Sequence, residues 1–279
     1  MNYRIRVLEV GYTNSFPADW RFDGYYRAGE LLFSPFSKTL LQGGGKNTLV
    51  DSGIDISNPA KQAICEAAGA ENVHGPEDVL VTVGLKPEDI DAVIMTHLHW
   101  DHASGAACYP NAVFYLQREE LERWTEAAAK PAWAAFSLMS MDFGDLEVFR
   151  KIEEEGRLVL LDGEADNIFP GISVRVSRFA HSFAQQMVYV ENDAGVYLVA
   201  GDVCNQPENL LGTEELPFFL PSLKFSVGGV ANTVLDYERI LQWTGGDVDR
   251  VVMTHDGTRG GRFPRETTAL GLSVYEICQ

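Results

Sequence analysis

Four residues of the kinds that bind metals fall within six positions in Thr96-His97-Leu98-His99-Trp100-Asp101-His102. The chain has only six histidines, so three of them in one such span is not chance clustering. Imidazole and carboxylate together suit zinc, and also iron or manganese. In an extended loop, residues two apart point the same way. His97 and His99 can therefore grip one metal while Asp101 and His102 turn toward a second. The apolar run Ala92-Val93-Ile94-Met95 immediately before the cluster reads as a buried strand. The cluster thus sits at a strand's carboxyl end, where α/β sheets collect ligands.

Two metals need more ligands than one loop supplies, and the further candidates also follow strand-like runs. His181 comes after residues 174–176, Asp202 after Leu198-Val199-Ala200-Gly201, and His255 after Val251-Val252-Met253-Thr254. A carboxylate such as Asp202 has two acceptor oxygens and can bridge two cations. Gly201 allows a sharp turn or a close backbone approach there. His74, in a polar turn beside Gly75-Pro76, fits no pattern and receives no role.

The rest of the chain is read as an ordinary globular protein, with one domain spanning residues 1–279. Its formal charge of -18 disfavours nucleic acid and an anionic membrane surface as partners. A small-molecule substrate is the expectation, and a homodimer is compatible with everything in the sequence. The N-terminus alternates polar and apolar residues over 1–10, without the apolar core of a signal peptide, and no segment is apolar long enough to span a bilayer. A cytoplasmic location follows. Cys65, Cys108, Cys204 and Cys278 are scattered without a C-x-x-C pair, so buried free thiols are expected.

Strands are predicted over 5–10, 30–41, 46–51, 92–95, 112–116, 158–160, 172–177, 187–190, 196–200 and 248–253. Gly43-Gly44-Gly45 is read as a hairpin turn. Helices are predicted from Asn58-Pro59 to about 68, over 118–129, over 133–141 as a segment that covers either the site mouth or the core, and over 233–243.

Thr48-Leu49-Val50-Asp51-Ser52-Gly53, then the H-x-H-x-D-H motif, His181, Gly201-Asp202 and His255 resemble, in order and spacing, the motifs of the metallo-β-lactamase superfamily. The resemblance implies an α/β fold, an αββα sandwich of two mixed β-sheets flanked by helices. It also implies two divalent metal ions, expected to be zinc, with iron or manganese as the other choices. His97, His99 and His181 would bind one metal and Asp101, His102 and His255 the other, with Asp202 bridging. Asp51 occupies the position of a buried aspartate that orders the metal-binding loop. Two departures stand out. Arg178-Phe179-Ala180-His181-Ser182-Phe183-Ala184 replaces the family's Thr-Pro-Gly-His-Thr-x-Gly, and Asn205 stands where related lactonases often carry a tyrosine.

The resemblance is strongest to cytoplasmic lactonases that act on acyl-homoserine lactones or pyridoxolactone-like rings. The expected activity is hydrolysis of a small lactone or related ester by a metal-bridging hydroxide, with Asp101 as the catalytic proton shuttle. Trp100, Asn205, Arg259 and Arg262 are candidate substrate contacts, the arginines for a carboxylate. Phe16, Trp20, Phe22, Tyr25 and Tyr26 either present an aromatic surface to an apolar ligand or pack on the sandwich. Amide, β-lactam-like or thioester hydrolysis, a mononuclear iron persulfide dioxygenase and a non-catalytic metal-binding protein are the rival readings.

Overall fold

The computed structural model describes residues 2–133 and 140–279. The helix expected over 133–141 therefore lies largely outside the described residues. The glycine turn closes a hairpin between β2 (Leu31–Gly43) and β3 (Lys46–Val50). Gly44 and Gly45 have φ of 60° and 75°, the pair of positive values that a two-residue hairpin turn requires.

That hairpin sits inside an eight-stranded sheet. β1 (Arg4–Pro17) pairs antiparallel with β2, and β4 (Ala92–Ile94), β5 (Val113–Gln117) and β6 (Leu158–Leu161) extend the other edge in parallel from β3. Two C-terminal strands that periodicity did not reveal, β12 (Arg265–Thr267) and β13 (Ser273–Cys278), complete the β1 edge. β1 is also longer than expected, because bulges between Glu9 and Gly11 and between Thr13 and Phe16 let it stay paired with β2 while its polar-apolar alternation breaks.

The second sheet runs β11 (Val251–Met253), β10 (Gly195–Gly201), β9 (Ala184–Asn192), β8 (Ile172–Arg178) and β7 (Ala165–Phe169). Only β10 and β11 are parallel. The strand expected over 248–253 begins as a short 3-10 turn at Val248–Arg250, capped by the Asp247 side chain.

Apolar residues fill three interlayer spaces. Ile5, Val7, Leu41, Val50 and Ile94 of the first sheet meet Ile172, Val174, Val188, Val199 and Val252 of the second. The first sheet's outer face, with Leu8, Leu40, Leu49, Val93 and Phe114, packs under Leu80, Trp124 and Phe149 from helices Pro76–Val81, Arg118–Ala128 and Gly144–Glu154. The second sheet's outer face is covered by helix Val230–Thr244 through Tyr237 and Ile240. The central strands are apolar on both sides for this reason, and the architecture is the expected helix-sheet-sheet-helix sandwich. Helix Pro59–Ala67 starts as read: the Asn58 side chain accepts from Ala60 N at 2.9 Å, and Gly69 ends the turn at φ 66°.

Lys38 on β2 is an exception to the apolar rule. It is fully buried, donates to Tyr109 Oη at 2.8 Å, and has no carboxylate partner among the described residues. Burial pushes its ammonium down to about 7, with Cys108 acting weakly in the other direction. A lysine whose folded value lies below its unfolded value costs stability most where both states are protonated, at and below pH 7. The cost fades as pH rises through 7 toward 10.5. Lys38→Met should therefore stabilise the protein by about 2–4 kcal/mol near pH 6, less the lost Tyr109 bond. The gain should shrink strongly by pH 10. Urea denaturation of both proteins at the two pH values checks this, and a pH-independent gain would rule it out.

Candidate metal centre

Every candidate ligand leaves the carboxyl end of a strand on one rim of the sandwich. The His97–His102 loop follows β4, Asp202 follows β10, His255 follows β11, and His181 lies in the β8–β9 connection. Because β3 and β4 are parallel, Asp51 at the end of β3 lies beside the start of that loop. It adopts φ 66°, a costly conformation for a non-glycine residue. In that position its carboxylate accepts from Thr96 N at 2.7 Å, from Thr96 Oγ1 at 2.9 Å and from His102 Nδ1 at 2.7 Å.

These outer partners decide which histidine nitrogens face inward. His102 Nδ1 donates to Asp51, so its Nε2 is the nitrogen left to face inward. Thr96 Oγ1 spends its proton on Asp51 and accepts from His97 Nδ1 at 2.9 Å, which leaves His97 Nε2 free. His255 Nδ1 donates to the Pro35 carbonyl at 2.8 Å, with the same consequence for its Nε2.

The inward atoms converge. His181 Nε2 lies 2.9 Å from His99 Nδ1, and His102 Nε2 lies 3.3 Å from Asp202 Oδ1 and 3.5 Å from Asp101 Oδ2. His255 Nε2 is 3.1 Å from Asp202 Oδ2 and 3.3 Å from Asp101 Oδ2. Asp202 also approaches His181 Nε2 at 3.5 Å, so its two oxygens face both halves of the cluster. Three groups, His97/His99/His181, His97/His102/Asp202 and Asp101/His102/His255, each bring their donor atoms within 4.8 Å of one another. Tetrahedral ligands at ~2.0 Å bond lengths stand about 3.3 Å apart, so these spacings suit a cation with small adjustments.

A direct test of fit is whether buried polar atoms lack partners. His97 Nε2, His102 Nε2 and Asp202 Oδ1 are buried and make no hydrogen bond. Such atoms cost free energy unless something else satisfies them. The electrostatics agree. Burial drives His97, His99 and His181 toward the neutral form, His181 down to about 4, as ligation requires. Burial opposes charge on His102 and His255 too, but Asp101 and Asp202 override it and raise both, His255 to about 9. Without metal, those two protons balance the carboxylates; a divalent cation would displace them.

Glu120, on helix Arg118–Ala128, was not singled out from sequence, yet it joins the two ligand loops. Its fully buried carboxylate accepts from Leu98 N at 3.2 Å, Trp124 Nε1 at 2.9 Å, Ser182 Oγ and Ala184 N at 2.8 Å. Leu98 lies between His97 and His99, and Ser182 follows His181. The altered sequence around His181 is held by this clamp. Gly201 is needed for close packing against protein, not metal: a Cβ there would come within 2.7 Å of Gln185 Nε2 and 2.9 Å of Thr96 Cβ.

The expected substrate contacts fare differently. Asn205 is buried just past Asp202, with Nδ2 donating to Ser222 Oγ at 3.1 Å and Oδ1 unpartnered. Trp100 packs behind the site on Phe36, whose ring abuts His255. Arg259 is buried, donating to the Met253 carbonyl and stacked 5.2 Å from the Tyr275 ring centroid. Arg262 is paired with Asp249 and Asp256. Arg262 is thus committed to ion pairs, and Arg259 is held by a backbone carbonyl and the Tyr275 ring of β13 with its Nη1 unpartnered. The grooves lined by Phe179 and Phe183, and by Arg178, Asp236 and Arg239, contain none of the candidate ligands.

Residues 38–255 match the model of the metallo-beta-lactamase superfamily. The chain is 29% identical over 201 residues to an N-acyl homoserine lactonase of Bacillus cereus, covering 68% of this chain and 71% of the relative. It is 25% identical over 235 residues to an N-acyl homoserine lactonase of Bacillus thuringiensis, covering 80% and 85%. In fold it is similar to a probable metal-dependent hydrolase from Staphylococcus aureus, with a TM-score of 0.68, 20% identity and 91% and 89% of the two chains covered. It is also similar to an N-acyl homoserine lactone hydrolase solved with N-hexanoyl-L-homoserine at its catalytic metal centre, with a TM-score of 0.64, 19% identity and 92% and 95% covered. With the matched span running from β2 to His255 and enclosing all seven candidate ligands, the chain belongs to the metallo-beta-lactamase superfamily.

Proposed function

We propose that the protein is a metal-dependent hydrolase that opens a small lactone or related ester, working as one domain with two divalent cations, zinc foremost. The observation that carries this is the convergence of His97, His99, His181, Asp101, His102, His255 and Asp202, with His97 Nε2, His102 Nε2 and Asp202 Oδ1 left buried and unpartnered among them. Relatives named as N-acyl homoserine lactonases support the lactone over an amide or thioester. Cations held there would supply Lewis acidity and acidify water toward neutrality.

The chain's own residues do the rest. Asp101 is held ionised: burial opposes its charge, but His102 and His255 outweigh it. Its Oδ2 is thus poised to take a proton from the attacking water and return it to the leaving alkoxide. Asp51, Thr96 and Pro35 fix the imidazoles so that no reorganisation is needed when charge develops. Among the described residues no helix is long and apolar enough to cross a membrane; the cytoplasmic location is proposed from the sequence alone.

A panel of lactones, thioesters, amides and persulfides tests the reading on metal-loaded and chelator-treated protein. Lactone or ester opening that disappears on chelation and returns with a divalent metal is the expected result. About one iron per chain with oxygen consumption on persulfides would favour the dioxygenase instead.

A further inference from the structure

Arg21 ends the short helix Ala18–Arg21 and is 1% exposed. A guanidinium so buried is ordinarily paired with a carboxylate. This one is not: among the described residues its Nη2 donates to Ser34 Oγ at 2.7 Å, and its Nε has no partner. Asp202 and then Asp256 are the charges that act on it most strongly, yet neither reaches ion-pair distance. Ser34 precedes Pro35, whose carbonyl orients His255. The unpaired cation therefore stands beside the metal-binding rim.

A second cation lies on the same aromatic cluster. Arg21 Cζ is 4.4 Å from the Phe16 ring centroid, Phe16 meets Trp20 edge-on at 5.8 Å, and Trp20 meets Phe225 at 5.4 Å. Lys224, exposed and without a carboxylate partner among the described residues, places Nζ 4.5 Å from the Trp20 ring centroid. Two unpaired cations on one group of rings are unexpected in a chain with 40 acidic and 22 basic residues. Phe225 keeps its place at φ 65°, a strained value for an aromatic residue.

The cluster is wired to the ligand loops. Asn209 Nδ2 donates to the Arg21 carbonyl at 3.0 Å, and Ser222 Oγ, which accepts from Asn205, lies 3.5 Å from the Trp20 carbonyl. Val227 N donates to the His181 carbonyl at 3.1 Å. The rings and cations thus sit between the loop after Asp202 and the loop carrying His181.

We infer that Phe16, Trp20, Phe225, Lys224 and Arg21 form a substrate subsite for a lactone or ester that carries a carboxylate on an apolar or ring-shaped body. Arg21 binds the carboxylate at the floor, Lys224 attracts it at the rim, and the rings cover the apolar part. The inference rests on the hydrolase reading and narrows its substrate class. It also moves the carboxylate-binding role from Arg262, which is already in two ion pairs, and from Arg259, which stacks on Tyr275, to the cation on the aromatic cluster.

The test compares 5-oxotetrahydrofuran-2-carboxylate with its methyl ester, the same lactone ring with and without the charge. Metal-loaded wild type should favour the acid in kcat/KM by about tenfold at low salt. That acid-to-ester ratio should fall about tenfold in Arg21→Met and about threefold in Lys224→Met, the Lys224 effect fading with added salt. Calorimetric titration with pyroglutamate, the uncleaved lactam counterpart, gives a readout independent of turnover. Its Kd should rise about tenfold in Arg21→Met. Arg21→Lys, which keeps the charge but not the planar fork, and the exposed Lys224→Met serve should Arg21→Met not fold. Equal use of acid and ester, or pyroglutamate binding indifferent to both cations, would overturn the subsite while leaving the hydrolase reading standing. Turnover of neither lactone, with pyroglutamate binding that still depends on Arg21, would support the subsite and count against the hydrolase reading.

Discussion

The His102→Ala variant is expected to lose about 10³-fold or more in kcat/KM on any lactone or ester the wild type opens, and to bind about one metal fewer per chain. His102 Nε2 stands within 3.5 Å of both Asp101 and Asp202, so its removal takes a neutral donor from between two carboxylates. It also strips Asp51 of a hydrogen bond that holds the loop. Asp51 still accepts from Thr96, so the strand end should survive and the fold should persist. Metal analysis of the purified variant beside steady-state kinetics checks both halves. Undiminished turnover with a full metal complement would remove His102 from the ligand set.

Glu120→Gln should weaken metal binding by about 10–100-fold, although Glu120 touches no candidate metal position. Oε1 accepts three donors and Oε2 accepts the Ala184 amide. A glutamine must turn an N–H₂ group toward at least one of them, setting donor against donor in a fully buried site. The cost is about 1–3 kcal/mol of stability. It is shared by the two loops carrying His97–His99 and His181, so the imidazoles lose their register together. A chelator competition assay measures the affinity and urea denaturation the stability. Wild-type metal affinity alongside lowered stability would mean that Glu120 supports only the fold.

The division between what could be read from the chain and what could not follows the range of the interactions. The H-x-H-x-D-H cluster, the strand before it, the glycine hairpin, the Asn58-capped helix and the order of His181, Asp202 and His255 are local or rest on motif order, and each was legible. Asp51 was legible only through the family resemblance; what puts it beside the cluster is the parallel pairing of β3 with β4. Glu120 was invisible: on a helix whose sequence reads as charged and amphipathic, nothing local marks which acidic residue turns inward. Arg259 and Arg262 looked available beside His255 until Tyr275 of β13 covered the first and Asp256 paired with the second, whereas Arg21 was not singled out at all. A charged side chain's function depends on whether a partner reaches it. Here the partners lie from four to 64 residues away and across turns and strands, so only packing of the two sheets and their loops decides which charges are satisfied and which are left to meet a ligand.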